Sequence, residues 1–251
     1  MLVEKLVIIP TYNEKENIET ILQAVYSLQQ DFHVLVIDDG SPDGTADVVR
    51  ALQPQFANTV FLVERRGKLG LGTAYIHGFK WGIERGYRFI FEMDADFSHN
   101  PADLPRLYAA CKEEGADLAI GSRYTQGGSV ANWPSDRIAL SKGASLYTWM
   151  ITWMPISDPT AGFMCYRREV LETINLDEIR FVGYAFQIEM KFAAWKLGFK
   201  LKEVPIRFED RRYGESKMNK SIIKEGVLGV LKLRWHSLFT NYRKRVKIIN
   251  G

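Results

Sequence analysis

A chain of 251 residues with 46% hydrophobic and 25% charged side chains is long enough for one large globular domain and too apolar for intrinsic disorder. Formal net charge is only +3 but uneven: residues 190–251 hold 16 Lys/Arg against 5 Asp/Glu, the remainder 17 against 25. No stretch approaches the roughly 20 apolar residues of a bilayer span, "MLVEKLVIIP" lacks the features of a secretory signal, and Cys111 and Cys165 are the only cysteines, which together point to a reducing, cytoplasmic setting. The basic C-terminal quarter suits nucleic acid, phospholipid headgroups or a phosphorylated substrate.

Through the first half, β-branched runs alternate with helical patterns. In chain order these are "KLVIIP", "ENIETILQAVYSL", "HVLVIDDG", "TADVVRAL", "NTVFLVERR", "GTAYIHGFKWGIERG", "YRFIFEMDAD", "PADLPRLYAACKEEG" and "DLAIGSRY". That alternation predicts βαβ units and a doubly wound, mostly parallel sheet whose ligands bind at the carboxyl ends of the strands. The second half predicts an aromatic- and methionine-rich helix over "DRIALSKGASLYTWMITWMPISDP", a strand over "TAGFMCYRR", a helix over "GYAFQIEMKFAAWKLG" and a single strand over "KLKEVPIRFED". A polar loop "RRYGESKMNKS" and a terminal amphipathic helix "IIKEGVLGVLKLRWHSLFTNYRKR" follow.

The most informative stretch is "FIFEMDADFSHNP". Read as a strand continuing through the aspartates, it sets Asp94 and Asp96 on one side, two carboxylates that repel unless something positive sits beside them. A hard divalent cation carrying a nucleotide diphosphate answers that need; capping the helix that begins near Pro101 is the plainer alternative. A glycosidase pair is set aside, because its carboxyls must flank the scissile bond.

"VIDDGSPDGT" ends a second strand with Asp38 and Asp39, and Asp39 reads as an acceptor for ribose or base donors. "PTYNE" adds Pro10, Tyr12 and Glu14 at the same edge. In "RRGKLGLGTAY", Gly67, Gly70 and Gly72 fit neither the dinucleotide fingerprint nor a Walker loop and are expected to permit tight turns, with Lys68 facing either a phosphate or solvent. Arg123, Arg137, Arg211, Arg212 and Lys217 are cations for phosphates only because the acidic edge implies a diphosphate. The histidines His33, His77, His99 and His236 lack metal spacing and no GxSxG elbow is present, so zinc and serine-hydrolase chemistry find no support.

Taken in order, "IIPTYNE", "VIDDGSPDGT", "GLGTAY", "EMDADFSHNP", "GSRY", "GYAFQIEM" and "FEDRRYGESK" closely resemble the polyprenol (dolichyl) phosphate mannosyltransferases, family 2 inverting glycosyltransferases of GT-A fold. The resemblance runs from about Leu6 to Lys217. It implies transfer of mannose from GDP-mannose to a polyprenyl phosphate, with Mg2+ or Mn2+, at the cytoplasmic face of a membrane, without nucleic acid. It further implies a donor site of Pro10, Tyr12, Glu14, Ile37, Asp39, Asp94, Ala95, Asp96, Arg123, Arg211 and Lys217. Asp94 and Asp96 would act through metal, and Arg123 and Arg137 would meet the acceptor. Some relatives have Gln at the position of Ser98, so a water is expected there in place of a third ligand. A related transferase using UDP-glucose or UDP-N-acetylglucosamine, and a non-enzymatic lipid-phosphate binder, are the rival readings.

The resemblance divides the chain into a transferase domain, 1–217, and a basic amphipathic helix and tail, 218–251. Relatives with C-terminal transmembrane helices exist, and none is written here. Two stretches offer a route to a lipid. In the first, Ser141, Ser145, Thr148 and Thr152 form a small polar stripe, leaving Leu146, Tyr147, Trp149, Met150, Trp153 and Met154 as a broad apolar face that is either core or interface. In the terminal helix, Val227, Leu231, Trp235, Leu238 and Tyr242 line up beside Lys232, Arg234 and the cations 243–247, a pattern suited to an anionic membrane surface.

Overall fold

The computed structural model describes residues 4–56, 58–183, 185–210 and 220–243. Arg211, Arg212, Lys217 and the boundary expected at residue 217 lie outside them. A seven-stranded sheet forms the centre, built in chain order from β1 (Lys5–Thr11), β2 (Phe32–Asp38), β3 (Val60–Glu64), β4 (Phe89–Glu92), β5 (Leu118–Ser122), β7 (Met164–Arg167) and β8 (Leu201–Pro205). The spatial order is β3-β2-β1-β4-β7-β5-β8, parallel except that β7 runs antiparallel to both its neighbours. Flanking it are α1 (Lys15–Tyr26), α2 (Thr45–Leu52), α3 (Leu71–Glu84), α4 (Leu104–Lys112), α6 (Arg168–Thr173) and α7 (Ala185–Lys196).

The period-two alternation of each strand divides the core in two. Leu6 and Ile8 of β1 and Leu35 and Ile37 of β2 face the side covered by α3 and α7. Val7, Ile9, Val34 and Val36 face α1, α2 and α4. Helix α3 lies close on the sheet because a Cβ at Gly78 would stand 2.7 Å from Ile8 Cδ1. Gly67 and Gly70 do adopt left-handed φ, as turn residues should, but Gly72 does not: it is helical, and a Cβ there would meet Phe186 at 2.7 Å. Its role is close packing of α3 on α7.

Several elements depart from the sequence expectation. β4 stops at Glu92, so Asp94 and Asp96 sit in the loop beyond it rather than alternating along the strand. Phe97 takes a left-handed φ of 63° and turns that loop back, which a strand could not do. "KLKEVPIRFED" is broken at Ile206 into β8 and a separate β9 (Arg207–Glu209), which pairs in parallel with β6 (Ser129–Ala131) in a two-stranded sheet of its own. Pro205, without an N–H, stands at the break.

The long helices close one side. α5 (Ser135–Thr152) and α8 (Lys220–His236) pack on each other, with Tyr147 Oη donating to Val227 O at 2.9 Å. α8 ends at His236, so Leu238 and Tyr242 lie past it; Tyr242 is buried and its carbonyl accepts from Asn175 N at 2.7 Å.

Candidate active site

The sheet order places a topological switch between β1 and β4, where successive crossovers leave in opposite directions and a crevice opens at the strand ends. At these strand ends stand Pro10 of β1 with Tyr12 and Glu14 just past it, Asp38 of β2 with Asp39 following, and Asp94 and Asp96 in the loop after β4. The two β2 aspartates differ in task. Asp38 is spent on local structure, accepting from Thr11 Oγ1 at 2.9 Å and from Ser41 N and Oγ at 2.8 and 2.5 Å. Asp39 accepts from Arg65 Nε at 2.7 Å and Leu69 N at 3.2 Å, which ties the glycine-rich segment to the crevice wall. A nucleoside reaching Asp39 would share this carboxylate with Arg65. Lys68 stands with Nζ 4.7 Å from the Tyr12 ring centroid. Ile37 and Ala95 are buried, and both side chains belong to the core.

From Asp94 and Asp96 a cavity of about 660 Å3 runs between α5, α7 and α8. Its floor carries Asp94, Asp96, Ser98 and His99, its flank Arg123, Arg137 and Asp210, and its far end Leu140, Ala144, Tyr147, Val227 and Val230. One end is thus ionic and the other apolar. His99 is 3% exposed, stacks on Phe163 at 4.9 Å, and accepts the Asp94 N–H on Nδ1 at 3.1 Å. Burial pushes its pKa down to about 4, so the ring is neutral with its proton on Nε2. Ser98 donates its N–H to Asp96 Oδ1 at 3.0 Å. No group of three His, Cys, Asp or Glu among the described residues is arranged to hold a metal by itself. Two carboxylates on one cavity floor nevertheless match the donor set of a hard cation that brings phosphate oxygens and waters with it.

The cations are held rather than loose. Arg123 makes a two-pronged pair with the fully buried Asp158, Nε to Oδ2 and Nη2 to Oδ1 both at 2.7 Å, and Nη2 also donates to Thr160 Oγ1 at 2.7 Å. Burial opposes both charges, yet the mutual hydrogen bonds win: the Asp158 pKa is lowered and the Arg123 pKa raised. Nη1 is the guanidinium nitrogen left without a hydrogen-bond partner among the described residues. Arg137 lies with Cζ 4.1 Å from the Trp133 ring centroid and donates from Nη1 to Asp210 Oδ2 at 2.9 Å. Trp133 and Phe208, brought together by β6 and β9, also face Arg123 at 5.7 and 5.4 Å.

Residue types alone did not single out Asp158, Trp133, Phe208 or Gln187. Gln187 is 4% exposed, lines the cavity, and donates from Nε2 to Glu92 Oε2 at 2.5 Å. Burial raises the Glu92 carboxyl to about 8 and depresses the Lys191 ammonium to about 8; Lys191 Nζ donates to Ala161 O at 2.6 Å and Gln187 O at 2.9 Å. This network sits directly under the cavity wall at Ala161 and Gly162. A charged residue inside the otherwise apolar "FIFEM", and Asp158 just before Pro159, are the only traces it leaves in the sequence.

The family model described as glycosyl transferase family 2 matches residues 6–174. The chain belongs to that family. A polyprenol monophosphomannose synthase from Mycolicibacterium smegmatis is 49% identical over 225 residues, 90% of this chain and 84% of the relative. An undecaprenyl-phosphate mannosyltransferase from Micrococcus luteus is 45% identical over 240 residues, 93% and 96% of the two chains. Among solved structures, glucosyl-3-phosphoglycerate synthase from Mycobacterium tuberculosis with Mn2+, UDP and product aligns with TM-score 0.67 at 18% identity, over 92% of this chain and 80% of the other. A mannosyltransferase from Pyrobaculum calidifontis in complex with GDP-Man and Mn2+ aligns with TM-score 0.57 at 17% identity, over 94% and 74%. The GT-A architecture expected from the resemblance is the fold of this family 2 member.

The Arg123–Asp158 pair yields a direct prediction. Asp158→Asn leaves a buried guanidinium without its counter-charge, a loss of order 3–5 kcal/mol, which lowers the melting temperature by on the order of 10 °C. Because the Asp158 pKa is lowered, its stabilisation is present above the ordinary value of 3.8 and fades as pH falls through the folded value, so the gap between wild type and variant narrows in acid. Thermal melts from neutral pH to pH 3 measure it, and a variant melting with the wild type at neutral pH would contradict the role.

Proposed function

We propose that the chain transfers mannose from GDP-mannose to the phosphate of a polyprenyl phosphate, with inversion, while docked on a membrane surface. The observation that carries this reading is the single cavity with an ionic end at Asp94 and Asp96 and an apolar end between α5 and α8. A diphosphate suits the first and an isoprenoid tail the second, and the acceptor phosphate then falls between them beside Arg123 and Arg137. The names of the relatives from Mycolicibacterium and Micrococcus agree.

In this reading Pro10, Tyr12, Glu14 and Asp39 border the nucleoside, and Ile37 and Ala95 shape the wall from the core side. Asp94 and Asp96 would hold Mg2+ or Mn2+, and such a cation, when bound, would stabilise the charge that develops on departing GDP. Arg211 and Lys217 are proposed to approach the donor phosphates. The acceptor oxygen attacks the anomeric carbon as the bond to GDP breaks. A phosphate monoester is ionised at neutral pH, so no side chain needs to take a proton. The neutral His99, already carrying its proton on Nε2, is consistent with that. Arg123 and Arg137, fixed by Asp158, Trp133 and Asp210, orient two anions that would otherwise repel.

Membrane docking draws support from how α5 is turned. Its small polar stripe packs inward, with Ser145, Thr148 and Thr152 all at most 6% exposed, while Leu146, Trp149, Met150 and Trp153 are 50–71% exposed. Leu231 and Trp235 of α8, and Leu238 and Phe239 just past its end, are exposed as well. Met154, assigned to the same face by periodicity, is instead core at 1%. No described helix is long and apolar enough to cross a membrane. Trp153 holds the left-handed C-cap of α5 at φ 58°, where glycine would cost less. A strained, exposed tryptophan earns its position by what it touches outside the molecule.

Two measurements test the reading. With polyprenyl phosphate as acceptor and Mg2+ or Mn2+ present, thin-layer analysis of a sugar-nucleotide panel should show lipid product from GDP-mannose and not from UDP-glucose or UDP-N-acetylglucosamine. Asp96→Asn should abolish that product with an unchanged melting temperature; near wild-type turnover by the variant would remove the carboxylate from the metal site. Separately, Trp153→Gly should gain about 1 kcal/mol in stability by relieving the left-handed cap, yet sediment less with anionic vesicles. Undiminished sedimentation would take α5 out of the docking surface.

A further inference from the structure

The His99 ring is held on several sides. Its Nδ1 accepts the Asp94 N–H at 3.1 Å, one face stacks on Phe163 with centroids 4.9 Å apart and planes 13° apart, and Phe208 lies edge-to-face at 5.6 Å. Because Nδ1 is the acceptor, the ring proton sits on Nε2, a conclusion that needs only the geometry. Nε2 forms no hydrogen bond among the described residues, yet it is not sealed within the protein as the unpartnered Gln187 Oε1 and Trp133 Nε1 are. The residue is 3% exposed and lines the reaction cavity, so this N–H opens into that cavity. A donor fixed in place and left open is completed by whatever the cavity binds.

Gly162, which lines the same cavity, marks the room beside it. Its φ is not left-handed, and the nearest contacts of a Cβ there, beyond the adjoining residues, would be Gln187 Nε2 and His99 Cε1, both at 3.6 Å. Neither backbone strain nor close packing therefore demands glycine; what the missing side chain leaves is open space next to the ring atom that adjoins Nε2. Gln187 Nε2 is already committed to Glu92, which leaves His99 as the free donor at this space. The charged groups of the cavity answer to charged parts of the substrates, Asp94 and Asp96 to a cation with its diphosphate, Arg123 and Arg137 to the acceptor phosphate. What lies between those parts is an uncharged ring bearing hydroxyls, and a neutral N–H matches a hydroxyl oxygen.

We propose that His99 is a substrate-contacting residue that selects the transferred sugar: Nε2 donates to one hydroxyl oxygen of the mannosyl group, which lies over Gly162. The inference rests on the proposed transfer from GDP-mannose for the identity of the sugar, and on His99 and Gly162 for its place. His99 exchanges no proton in this role, since its hydrogen stays on Nε2 and its other nitrogen is occupied by the Asp94 N–H. One ring thus ties the loop that carries Asp94 to the sugar whose bond is to break.

The test uses the full chain with excess polyprenyl phosphate, GDP-mannose, and a panel of GDP-deoxymannoses that each lack one hydroxyl. His99→Asn keeps an amide oxygen near the place of Nδ1 for the Asp94 N–H and removes the Nε2 donor. GDP with Mn2+, followed by calorimetry, should bind this variant as it binds wild type, while kcat/KM for GDP-mannose should fall about three- to tenfold, the loss of one hydrogen bond. One deoxy analogue should slow wild type by a similar factor and slow His99→Asn no further, a coupling that a merely structural role would not produce. Gly162→Ala, whose methyl group meets its neighbours at ordinary contact distance, should keep the wild-type melting temperature and GDP affinity and raise the KM for GDP-mannose; it gives an answer even if His99→Asn does not fold. Analogues discriminated equally by wild type and His99→Asn, GDP bound more weakly by His99→Asn, or an unchanged KM in Gly162→Ala would each overturn the proposal. A wild type that transfers another sugar and not mannose brings down the functional reading first, and the same coupling, measured with deoxy analogues of that sugar, then decides for or against His99.

Discussion

The buried pair of Arg123 and Asp158 is the constraint on which the rest of the site turns. It joins the end of β5 to the segment that leads into β7, the strand that runs against its neighbours. Through Thr160 it also steadies the stretch Thr160–Gly162 that faces the reaction cavity. Without the counter-charge, a guanidinium at this depth would be expelled towards water. With it, a positive charge is held at the wall of the reaction cavity, and Trp133 and Phe208 close over it from the small β6–β9 sheet.

The second organising feature is the orientation of α5. An amphipathic helix in a globular protein ordinarily buries its large apolar face. Here the small hydroxyl face goes inward, where Thr148 and Thr152 bond to carbonyls of their own helix, and the tryptophans, leucine and methionine go outward. Packing α8 alongside extends that face and encloses the apolar end of the cavity. A tail-bearing substrate could thus enter from the same side on which the molecule rests, its phosphate travelling only the length of the cavity to the carboxylates.

Much of the fold was legible because strands buried on both faces write themselves as unbroken apolar runs and glycine marks their turns. The strand-end segments of the candidate site stood out as charge at a predicted ligand edge, but that signal does not tell a ligand contact from a structural one: Asp38 holds Thr11 and Ser41, and Arg123 is paired with Asp158. Three things were hidden. Asp94 and Asp96 read as one strand because nothing local announces the left-handed turn at Phe97. The direction α5 faces is undetermined by periodicity, which fixes that two faces exist and not which is buried. Finally, Asp158 and Gln187 act on partners 35 and 95 residues away, and such pairings follow from topology rather than from any spacing in the chain.

The central claim is that the carboxylate end and the apolar end belong to one substrate path. Photo-crosslinking with a diazirine-tagged polyprenyl phosphate, followed by mass-spectrometric mapping of the adducts, tests it most directly. The account predicts adducts on Leu140, Ala144 or Tyr147 of α5 and on Val227 or Val230 of α8, lost when untagged acceptor is added in excess. Adducts confined to α1, α2 or α4, on the opposite face of the sheet, would contradict it.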